Sequence, residues 1–366
     1  MNNSRIAVLR KTIQKLNHEV FFVSNFHNIL YLTGFKTLTT DEREAFVLVT
    51  KENVYLFTDE RYINKNPKSQ IPNLKLIIKL VKPNKGFLTH LEDIAKDEKI
   101  TEICFEADDL IFDEYQRIKE RLVNIVLIPT QQIVIREREI KDNWEIGKIK
   151  RACELTDQCL KDVLKTINKD QSEKEIALKI ETWIKKNYLE LAFDPIVAID
   201  ANAAIPHYNT KTGGGKVKNG SAILVDFGLK YKDYISDVTR MVFFGKQNND
   251  VLRAYNILRK AQEKTVDQMF RFTKLSEVDE FCRKLITDTG LPTYPHSTGH
   301  GVGLQIHEYP KLSFHSSDNK TDGQVVTVEP GIYIPGRWGM RVEDTVVIKN
   351  GKAEALTKFS KELLII

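Results

Sequence analysis

Two pairs of acidic residues stand where predicted β-hairpins would bring carboxylates face to face. The first pair is Asp226 and Asp237, in segments 222–230 and 235–244, which are rich in β-branched and aromatic residues. A register centred on the turn at 231–232 places the two carboxylates directly opposite each other. Like charges that face each other on a strand pair are destabilising unless a cation or a shared proton compensates them. The pattern therefore predicts a positive group between them.

The second pair, Glu329 and Glu343, repeats this arrangement. Segments 325–334 and 340–348 both favour strands, and a register centred on Gly336 puts the two glutamates opposite each other. Carboxylates arranged in this way can bridge two divalent metal ions at a separation of about 3.5–4 Å. Two such pairs predict a two-metal site.

Three of the eight histidines of the chain lie within twelve residues, at His296, His300 and His307, and glycines alternate with them. Glycine at this density argues against a helix, so His296 and His300 do not form the i, i+4 zinc pair of a helical site. We expect a loop or strand whose backbone approaches another segment closely. One imidazole and four carboxylates have enough donors for two metal ions.

The order of these residues resembles that of the pita-bread metallopeptidases of the creatinase and methionine-aminopeptidase type. Each of the five metal-ligand positions of that family holds its expected residue. They are Asp226 in V-D-F-G, Asp237 in S-D-V-T-R, His300 in G-H-G-V-G-L, Glu329 in V-E-P-G-I-Y and Glu343 in R-V-E-D-T. Segments 28–35 and 56–62 are similar to the amino-terminal domain of the proline-directed members, so the resemblance covers the whole chain.

Three further positions narrow the resemblance to the Xaa-Pro aminopeptidases and prolidases. They are His207 in I-P-H-Y, His296, and Arg341, two residues before Glu343. Methionine aminopeptidases usually lack this arginine and the long amino-terminal domain, and creatinase has lost the metal ligands. One departure is Asp200, where the family often has glycine. Aspartate tolerates a left-handed backbone better than most residues, so the loop can keep its path.

The resemblance also implies a role for each site residue. Asp237 and Glu343 would bridge the metals, Asp226 would bind one of them, and His300 and Glu329 would bind the other. The implied catalytic residues are Glu329, as proton donor to the proline nitrogen, His307, as oxyanion donor, and His296, His207 and Arg341. The implied substrate-binding residues are His207, His296, His307 and Tyr333. For Arg341, an ion pair with a ligating carboxylate is an equally good hypothesis.

The donor set itself indicates which metals to expect. One nitrogen ligand among oxygens favours manganese or magnesium over zinc, although the imidazole also accepts cobalt, zinc and iron. We predict two divalent ions, with Mn²⁺ as the first choice and Co²⁺, Zn²⁺ or Fe²⁺ as alternatives. Such ions lower the pKa of a shared water enough to supply hydroxide near neutral pH.

The function that the resemblance implies is removal of the first residue from peptides with proline at the second position. Our first expectation is an Xaa-Pro aminopeptidase, and the alternative is a prolidase restricted to Xaa-Pro dipeptides. A third hypothesis is a pita-bread module that binds partners without hydrolysis, but such modules typically have eroded ligands. We also expect a homodimer, in which loops from the partner subunit could decide how the pocket closes beyond proline.

The 366 residues are long enough for two domains, and the predicted fold class is α+β. Helix and strand alternate over residues 1–130, which predicts an α/β domain of the creatinase amino-terminal type. A linker is expected at 131–141, followed by the pita-bread catalytic domain at 142–366. Its helices are predicted to begin at an Asp142 capping box, at Ser172 and at Ser276, the last of them ending near Gly290.

Composition excludes several other classes of protein. The chain is 42% hydrophobic and 29% charged, without an apolar run long enough to cross a membrane. The formal charge of +5 comes from dispersed lysines accompanied by acids, so we expect no nucleic-acid partner. The start leads into an amphipathic helix rather than a signal sequence, and the four cysteines lack a C-x-x-C spacing, which predicts a cytoplasmic protein. The glycines at 213–215 lack the frame of a phosphate loop and predict a flexible turn.

Overall fold

The computed structural model describes residues 3–40, 42–63 and 74–366, which form two compact units dividing after Arg138. This division falls within the segment 131–141 that was predicted as a linker. The segment is not simply extended, because it contains a short helix, Ile133–Glu137, whose Val134 is buried.

The first unit is an α/β layer. Its helices are α1 (Asn3–Lys15), α2 (Phe26–Thr33), α3 (Glu60–Ile63), α4 (Phe87–Asp97), α5 (Phe112–Arg121) and α6 (Ile133–Glu137). Its strands are β1 (Phe21–Val23), β2 (Ala45–Val49), β3 (Val54–Thr58), β4 (Ile77–Leu80), β5 (Glu102–Glu106) and β6 (Val126–Thr130). They form one sheet in the order β4-β3-β2-β1-β5-β6, antiparallel at β1–β2 and β2–β3 and parallel elsewhere.

Apolar residues at helical spacing attach the helices of the first unit. Leu91 and Ile94 of α4 and Ile118 of α5 join one core cluster with Phe22 of β1 and Phe57 of β3. The alternation of helix and strand predicted for residues 1–130 is confirmed. β3 is buried along its whole length and β2 along most of it, and strands covered by helices read as continuous apolar runs.

The second unit contains four longer helices, a 3₁₀ helix at Asp200–Ala204 and another at Met269–Arg271. The helices are α7 (Asn143–Leu164), α8 (Glu173–Lys186), α9 (Asn249–Gln268) and α10 (Leu275–Thr287). The strands are β7 (Glu190–Leu191), β8 (Ile196–Ile199), β9 (Ser221–Phe227), β10 (Leu229–Tyr231), β11 (Tyr234–Ile235), β12 (Val238–Phe244), β13 (Gly299–Gly301), β14 (Glu308–Leu312), β15 (Val325–Val328), β16 (Gly331–Ile334), β17 (Trp338–Arg341), β18 (Asp344–Lys349) and β19 (Lys352–Ala355).

These strands form mostly antiparallel layers against which the helices pack. The sheet orders are β11-β10-β7, β12-β9-β8, β14-β13-β15-β18-β19 and β16-β17. Apolar side chains of α7 and α8 pack on one face of the β8–β9–β12 sheet, and those of α9 pack on the other face. The first acid-bearing segment therefore lies in a layer buried between helices. Within the described parts of the chain, no helix is both long and apolar enough to span a membrane.

Helix starts were predicted correctly where a capping box is unambiguous. Asp142 caps α7 together with Glu145, and Ser172 caps α8 together with Glu175, as predicted. The prediction at Ser276 is wrong in detail, because α10 begins at Leu275 and the capping carboxylate is Glu277, which accepts from the Thr273 and Lys274 amides.

The first acid-bearing hairpin has a different register from the predicted one. Tyr231 pairs with Tyr234, so the turn consists of Lys232 and Asp233, which both have positive φ, at 48° and 72°. Thr239, not Asp237, is the partner of Asp226. The two aspartates are thus offset by two residues along the hairpin and approach each other diagonally.

The second hairpin has the predicted register. Val328 pairs with Asp344 in one ladder, and Gly331 pairs with Arg341 in the next. Two residues on each strand separate the ladders, which leaves Glu329 opposite Glu343. The predicted continuous strands are interrupted here, because the Glu329 and Glu343 amides donate to carbonyls of other segments, those of Thr298 and Thr239.

Candidate metal centre

All five predicted ligands lie in the second unit, at the edges where its sheets meet. Asp226 is inside β9, whereas Asp237 immediately precedes β12 and Glu343 immediately precedes β18. His300 is in β13, and Glu329 directly follows β15. Asp226, Asp237 and Glu343 are buried, with exposed fractions of 7%, 5% and 2%. Carboxylates at this depth require compensation by a positive charge.

The structure brings these side chains together. Ligand atoms of Asp237, His300 and Glu343 all lie within 4.8 Å of one another. Nε2 of His300 is 3.2 Å from Oε1 of Glu329 and 3.7 Å from Oδ2 of Asp237. Four of the five predicted ligands thus converge around one imidazole nitrogen.

The His300 ring is oriented by its own backbone. Its Nδ1 lies 3.1 Å from the carbonyl oxygen of Gly301, and its amide donates to Oγ1 of Thr327 at 3.0 Å. When Nδ1 carries the proton and donates it to this carbonyl, Nε2 is left with a lone pair directed at the acids. A Cβ on Gly299 would stand 1.9 Å from the Thr327 carbonyl oxygen, so the close backbone approach predicted from the glycines is confirmed.

Asp226 is held from one side only. The guanidinium of Arg341 donates to Oδ2 of Asp226, while Oδ1 is buried and has no hydrogen-bond partner. A buried carboxylate oxygen without a donor is costly in a folded protein. The Oδ1 atom is therefore suited to bind a metal ion.

Two threonines that sequence reasoning missed support the ligands. The Thr239 hydroxyl donates to Glu343 at 2.7 Å and accepts from Nε of Arg341 at 3.1 Å, while Thr327 donates to Glu329 at 3.1 Å. Each threonine stands two residues from an acid predicted to bind metal, in D-V-T and T-V-E. Because alternate residues of a strand share a face, this spacing was a usable signal.

The pKa values show that burial and mutual repulsion disfavour the charged forms of Asp226, Asp237 and Glu343. Burial raises the pKa of Asp237 well above its usual range, and the charge of Glu343 raises it further. Burial also raises the pKa of Glu343 and that of Asp226, which Arg341 only partly offsets. Burial would raise the pKa of Glu329 too, but the hydrogen bond from His300 and nearby positive charges lower it to about 2. For His300, the contacts with Glu329 outweigh burial and raise the pKa.

These observations meet the requirements of a site for divalent metal ions. The donors are oxygens with one imidazole nitrogen, one buried oxygen lacks any other partner, and the carboxylates repel one another. A metal ion would satisfy the free oxygen and relieve the repulsion.

The other predicted residues surround this cluster. The Tyr333 hydroxyl accepts from Arg341 at 3.1 Å and lies 2.8 Å from Nε2 of His296, whose Nδ1 lies 2.8 Å from the Ser297 carbonyl oxygen. A chain of hydrogen bonds thus runs from Arg341 through Tyr333 to His296. The hydrogen-bonding groups of Arg341 therefore have partners within the protein. Its ion pair with Asp226 agrees with one of the two hypotheses for this residue, an ion pair with a carboxylate predicted to bind metal.

His307 and His207 are exposed at the edge of the cluster. The His307 ring packs edge-on against His300 with 4.4 Å between centroids, and burial and the His300 charge lower its pKa. A charge on His207 would oppose the burial that raises the pKa of Asp226, and it would add to the burial that lowers the pKa of His307. Arg341 also donates to the carbonyl of Pro206, the residue before His207, at 3.2 Å. At Asp200 the backbone is left-handed, with φ 53°, as the aspartate allowed.

Family models match both units of the chain. Metallopeptidase family M24 matches residues 147–350, and the Creatinase/Prolidase N-terminal domain matches residues 5–140. The first of these matches covers more than half of the chain. The chain belongs to metallopeptidase family M24.

Individual M24 relatives match along nearly their whole length. An Xaa-Pro dipeptidase of Pyrococcus horikoshii is 30% identical over 99% of this chain and 99% of its own, and one of Pyrococcus furiosus is 31% identical over 98% and 99%. The structure of an Xaa-Pro dipeptidase from Bacillus anthracis superposes with a TM-score of 0.91 at 31% identity, covering 100% of both chains. An X-Pro aminopeptidase from Thermotoga maritima gives 0.86 at 28%, covering 97% and 100%.

Membership of this metallopeptidase family confirms three expectations from the sequence. The protein is a hydrolase, its fold is the two-domain creatinase and pita-bread arrangement, and divalent metals are its cofactors. The names of the relatives favour the dipeptidase alternative over our first expectation of an aminopeptidase.

Proposed function

We propose that this M24 protein is a prolidase, which hydrolyses Xaa-Pro dipeptides with the help of two divalent metal ions, preferably manganese. The observation that carries the proposal is the convergence of Asp237, His300 and Glu343 beside an Asp226 oxygen that has no other partner. The full-length matches to proteins named Xaa-Pro dipeptidase support the choice of substrate. The match to the Thermotoga maritima protein supports an aminopeptidase as the second candidate.

In this proposal the metals are held by Asp226, Asp237, His300, Glu329 and Glu343. Bound metal ions supply a Lewis acid and lower the pKa of a water molecule to near neutrality. Oxygen ligands outnumber nitrogen four to one in this set, which supports manganese over zinc.

Glu329 is the proposed proton carrier. Its Oε1 lies 3.2 Å from Nε2 of His300, and in this proposal the carboxylate accepts a proton from the attacking water and passes it to the proline nitrogen. The hydrogen bond from Thr327 to Oε1 fixes the carboxylate in place for both steps.

Histidines complete the proposed site. The lowered pKa of His307 keeps its imidazole neutral, with one N–H available for the oxyanion that develops at the carbonyl. His296 and His207 line the proline pocket in this proposal. The hydrogen bonds from Arg341 through Tyr333 hold the ring of His296 in one orientation, whereas His207 depends on its loop.

Substrate length is the decisive test. After chelation and addition of manganese, we expect cleavage of an Xaa-Pro dipeptide and little cleavage of an Xaa-Pro-Yaa tripeptide. Efficient tripeptide cleavage would assign an aminopeptidase instead, and no metal-dependent cleavage of either peptide would reject both. A Glu343→Ala protein is the control, since it should fold but lose metal and activity.

The expected homodimer stays a prediction that can be tested in the same preparation. Sedimentation equilibrium of the manganese-loaded protein should give twice the mass of the 42.2 kDa chain. A monomer with full activity would show that no partner subunit is needed to close the pocket.

A further inference from the structure

A fully buried carboxylate outside the metal centre holds the loop that carries His207. Glu173 is the first residue of α8, and its side chain is completely buried. Its four hydrogen-bond donors all come from residues 199–215, here called the His207 loop. The proposed mechanism gives Glu173 no role.

The four contacts clamp the loop at both ends and near its middle. Oε1 of Glu173 accepts from the Ile199 amide at 2.7 Å and from the Asn202 side chain at 2.8 Å. Oε2 accepts from the Tyr208 hydroxyl at 2.8 Å and from the Gly215 amide at 2.9 Å. A buried carboxylate with this many donors fixes each of them more firmly than neutral acceptors could.

The glycines at 213–215 make this closure sterically feasible. A Cβ on Gly213 would lie 2.1 Å from the Tyr208 hydroxyl oxygen, and a Cβ on Gly215 would lie 2.5 Å from Oε1 of Glu173. The expectation of a merely flexible turn is therefore incomplete, because these glycines let the loop wrap tightly around the carboxylate.

The loop also contacts the metal centre from its other side. Arg341, which pairs with Asp226, donates to the carbonyl of Pro206, and a Cβ on Gly339 would lie 1.9 Å from the carbonyl of Ala203. His207 itself has no hydrogen bond among the described contacts and is exposed. Its position is set by the residues on either side, Pro206 and Tyr208, of which the second is bonded to Glu173.

We propose that Glu173 is a positioning residue, which fixes the His207 loop and thereby sets how tightly the proline-containing substrate binds. This inference rests on the proposed function, because it assigns His207 to the substrate pocket. It predicts a change in KM with little change in kcat, since the side chain of Glu173 bonds to none of the five proposed metal ligands.

Glu173→Gln is the informative substitution because it keeps the shape of the side chain. The new amide group must replace one of the two accepting oxygens. Asn202 and Tyr208 can each reorient to accept, but the backbone amides of Ile199 and Gly215 cannot. Whichever way the glutamine lies, one of those two amides loses its acceptor.

The test compares Glu173→Gln with a matched control, Glu175→Gln, in the same helical turn. Glutamine can replace glutamate in the capping box with Ser172, so the control should behave as the native enzyme. For Glu173→Gln we expect an increase in KM on the order of tenfold, because a hydrogen bond to a charged group is lost. We expect native kcat, native metal content and faster amide exchange within 199–215.

Two further variants separate positioning from general damage. Tyr208→Phe removes one donor and leaves the carboxylate intact, so it should raise KM less than Glu173→Gln does. In the double variant Glu173→Gln/His207→Ala, KM should equal that of His207→Ala alone, because the clamp acts through His207. If the effects of the two substitutions on KM multiply in the double variant, Glu173 does not act through His207.

The outcomes distinguish this inference from the proposed function. Native exchange in the loop, or faster exchange with an unchanged KM, would overturn the role of Glu173. If the native protein cleaves no Xaa-Pro peptide, the proposed function fails, and the exchange of residues 199–215 in Glu173→Gln still shows whether the carboxylate clamps the loop.

Discussion

Replacing Asp237 by asparagine should stabilise the metal-free protein while abolishing its response to metal. Asp237 and Glu343 offer ligand atoms within 4.8 Å of each other in a buried site. Two unit charges at that distance repel by about 3 kcal/mol at an effective dielectric constant of about 20. His300, 3.7 Å from Asp237, offsets part of this repulsion when it is protonated.

The stabilisation expected for Asp237→Asn depends on pH in a defined way. The pKa of Asp237 is raised by burial and by Glu343, so the folded protein binds this proton more tightly than the unfolded chain does. The free energy of unfolding therefore falls as the pH rises above the ordinary value of 3.8 through the raised one. The stabilisation by Asp237→Asn should be largest above neutral pH and should vanish in acid.

Tryptophan fluorescence during urea unfolding measures the stability of the second unit, which contains Asp237. All three tryptophans, Trp144, Trp183 and Trp338, lie in the second unit. With chelator present, Asp237→Asn should unfold at a higher urea concentration than the native protein. Manganese should raise the urea concentration at which the native protein unfolds and leave that of the variant unchanged.

The control is Asp267→Asn, which removes an exposed carboxylate at the end of α9 and should change stability by less than about 0.5 kcal/mol. The reasoning is refuted if metal-free Asp237→Asn is no more stable than the native protein above neutral pH. If manganese stabilises the variant as much as the native protein, Asp237 is not a ligand.

Three other predictions test separate parts of the structure. His307→Ala should retain metal, measured by atomic absorption, and lose about 10²-fold in kcat, as expected for one oxyanion donor; an unchanged kcat would remove His307 from the mechanism. Tyr333→Phe breaks the link between Arg341 and His296 and should weaken metal binding or turnover by about tenfold, as outer-shell changes do; titration with manganese and initial rates would reveal it, and native behaviour in both would contradict it. In the first unit, burial raises the pKa of Glu106 to about 7 from 4.5. The first unit should therefore lose stability, on the order of 3 kcal/mol, as the pH rises through that range, and amide exchange of β1 would measure the loss. Glu106→Gln should lack this pH dependence.

The two hairpins show what a sequence can and cannot specify. Gly336 lies at the centre of the second turn with φ 71°, so the residue type that tolerates this backbone marked the register correctly. In the first hairpin the left-handed positions fall on Lys232 and Asp233, and lysine gives no such signal. The aspartate was the available clue, because Asp occupies such positions more readily than Tyr231 does.

Other features were missed because they depend on contacts distant in sequence. The four donors to Glu173 lie 26 to 42 residues away, and no local pattern pairs a helix start with a later loop. The helix α9 was a different kind of omission, since Asn248 caps it and Ala254, Leu258 and Ala261 recur at helical spacing. By contrast, the five proposed ligands could be named from the sequence because their types and order carry the chemistry directly.

The second hairpin also makes the catalytic domain tolerant of change in chain length. From Val325 to Val347 the two sides of the hairpin stay in one register, and the ladder formed by β15 and β18 lies below the Glu329 and Glu343 pair. An insertion at 335–337 would extend the tip without shifting that ladder, whereas a one-residue deletion inside β15 would turn Glu329 to the opposite face. New substrate-contacting residues could therefore be engineered, or acquired in evolution, at the tip while the ligands stay where they are.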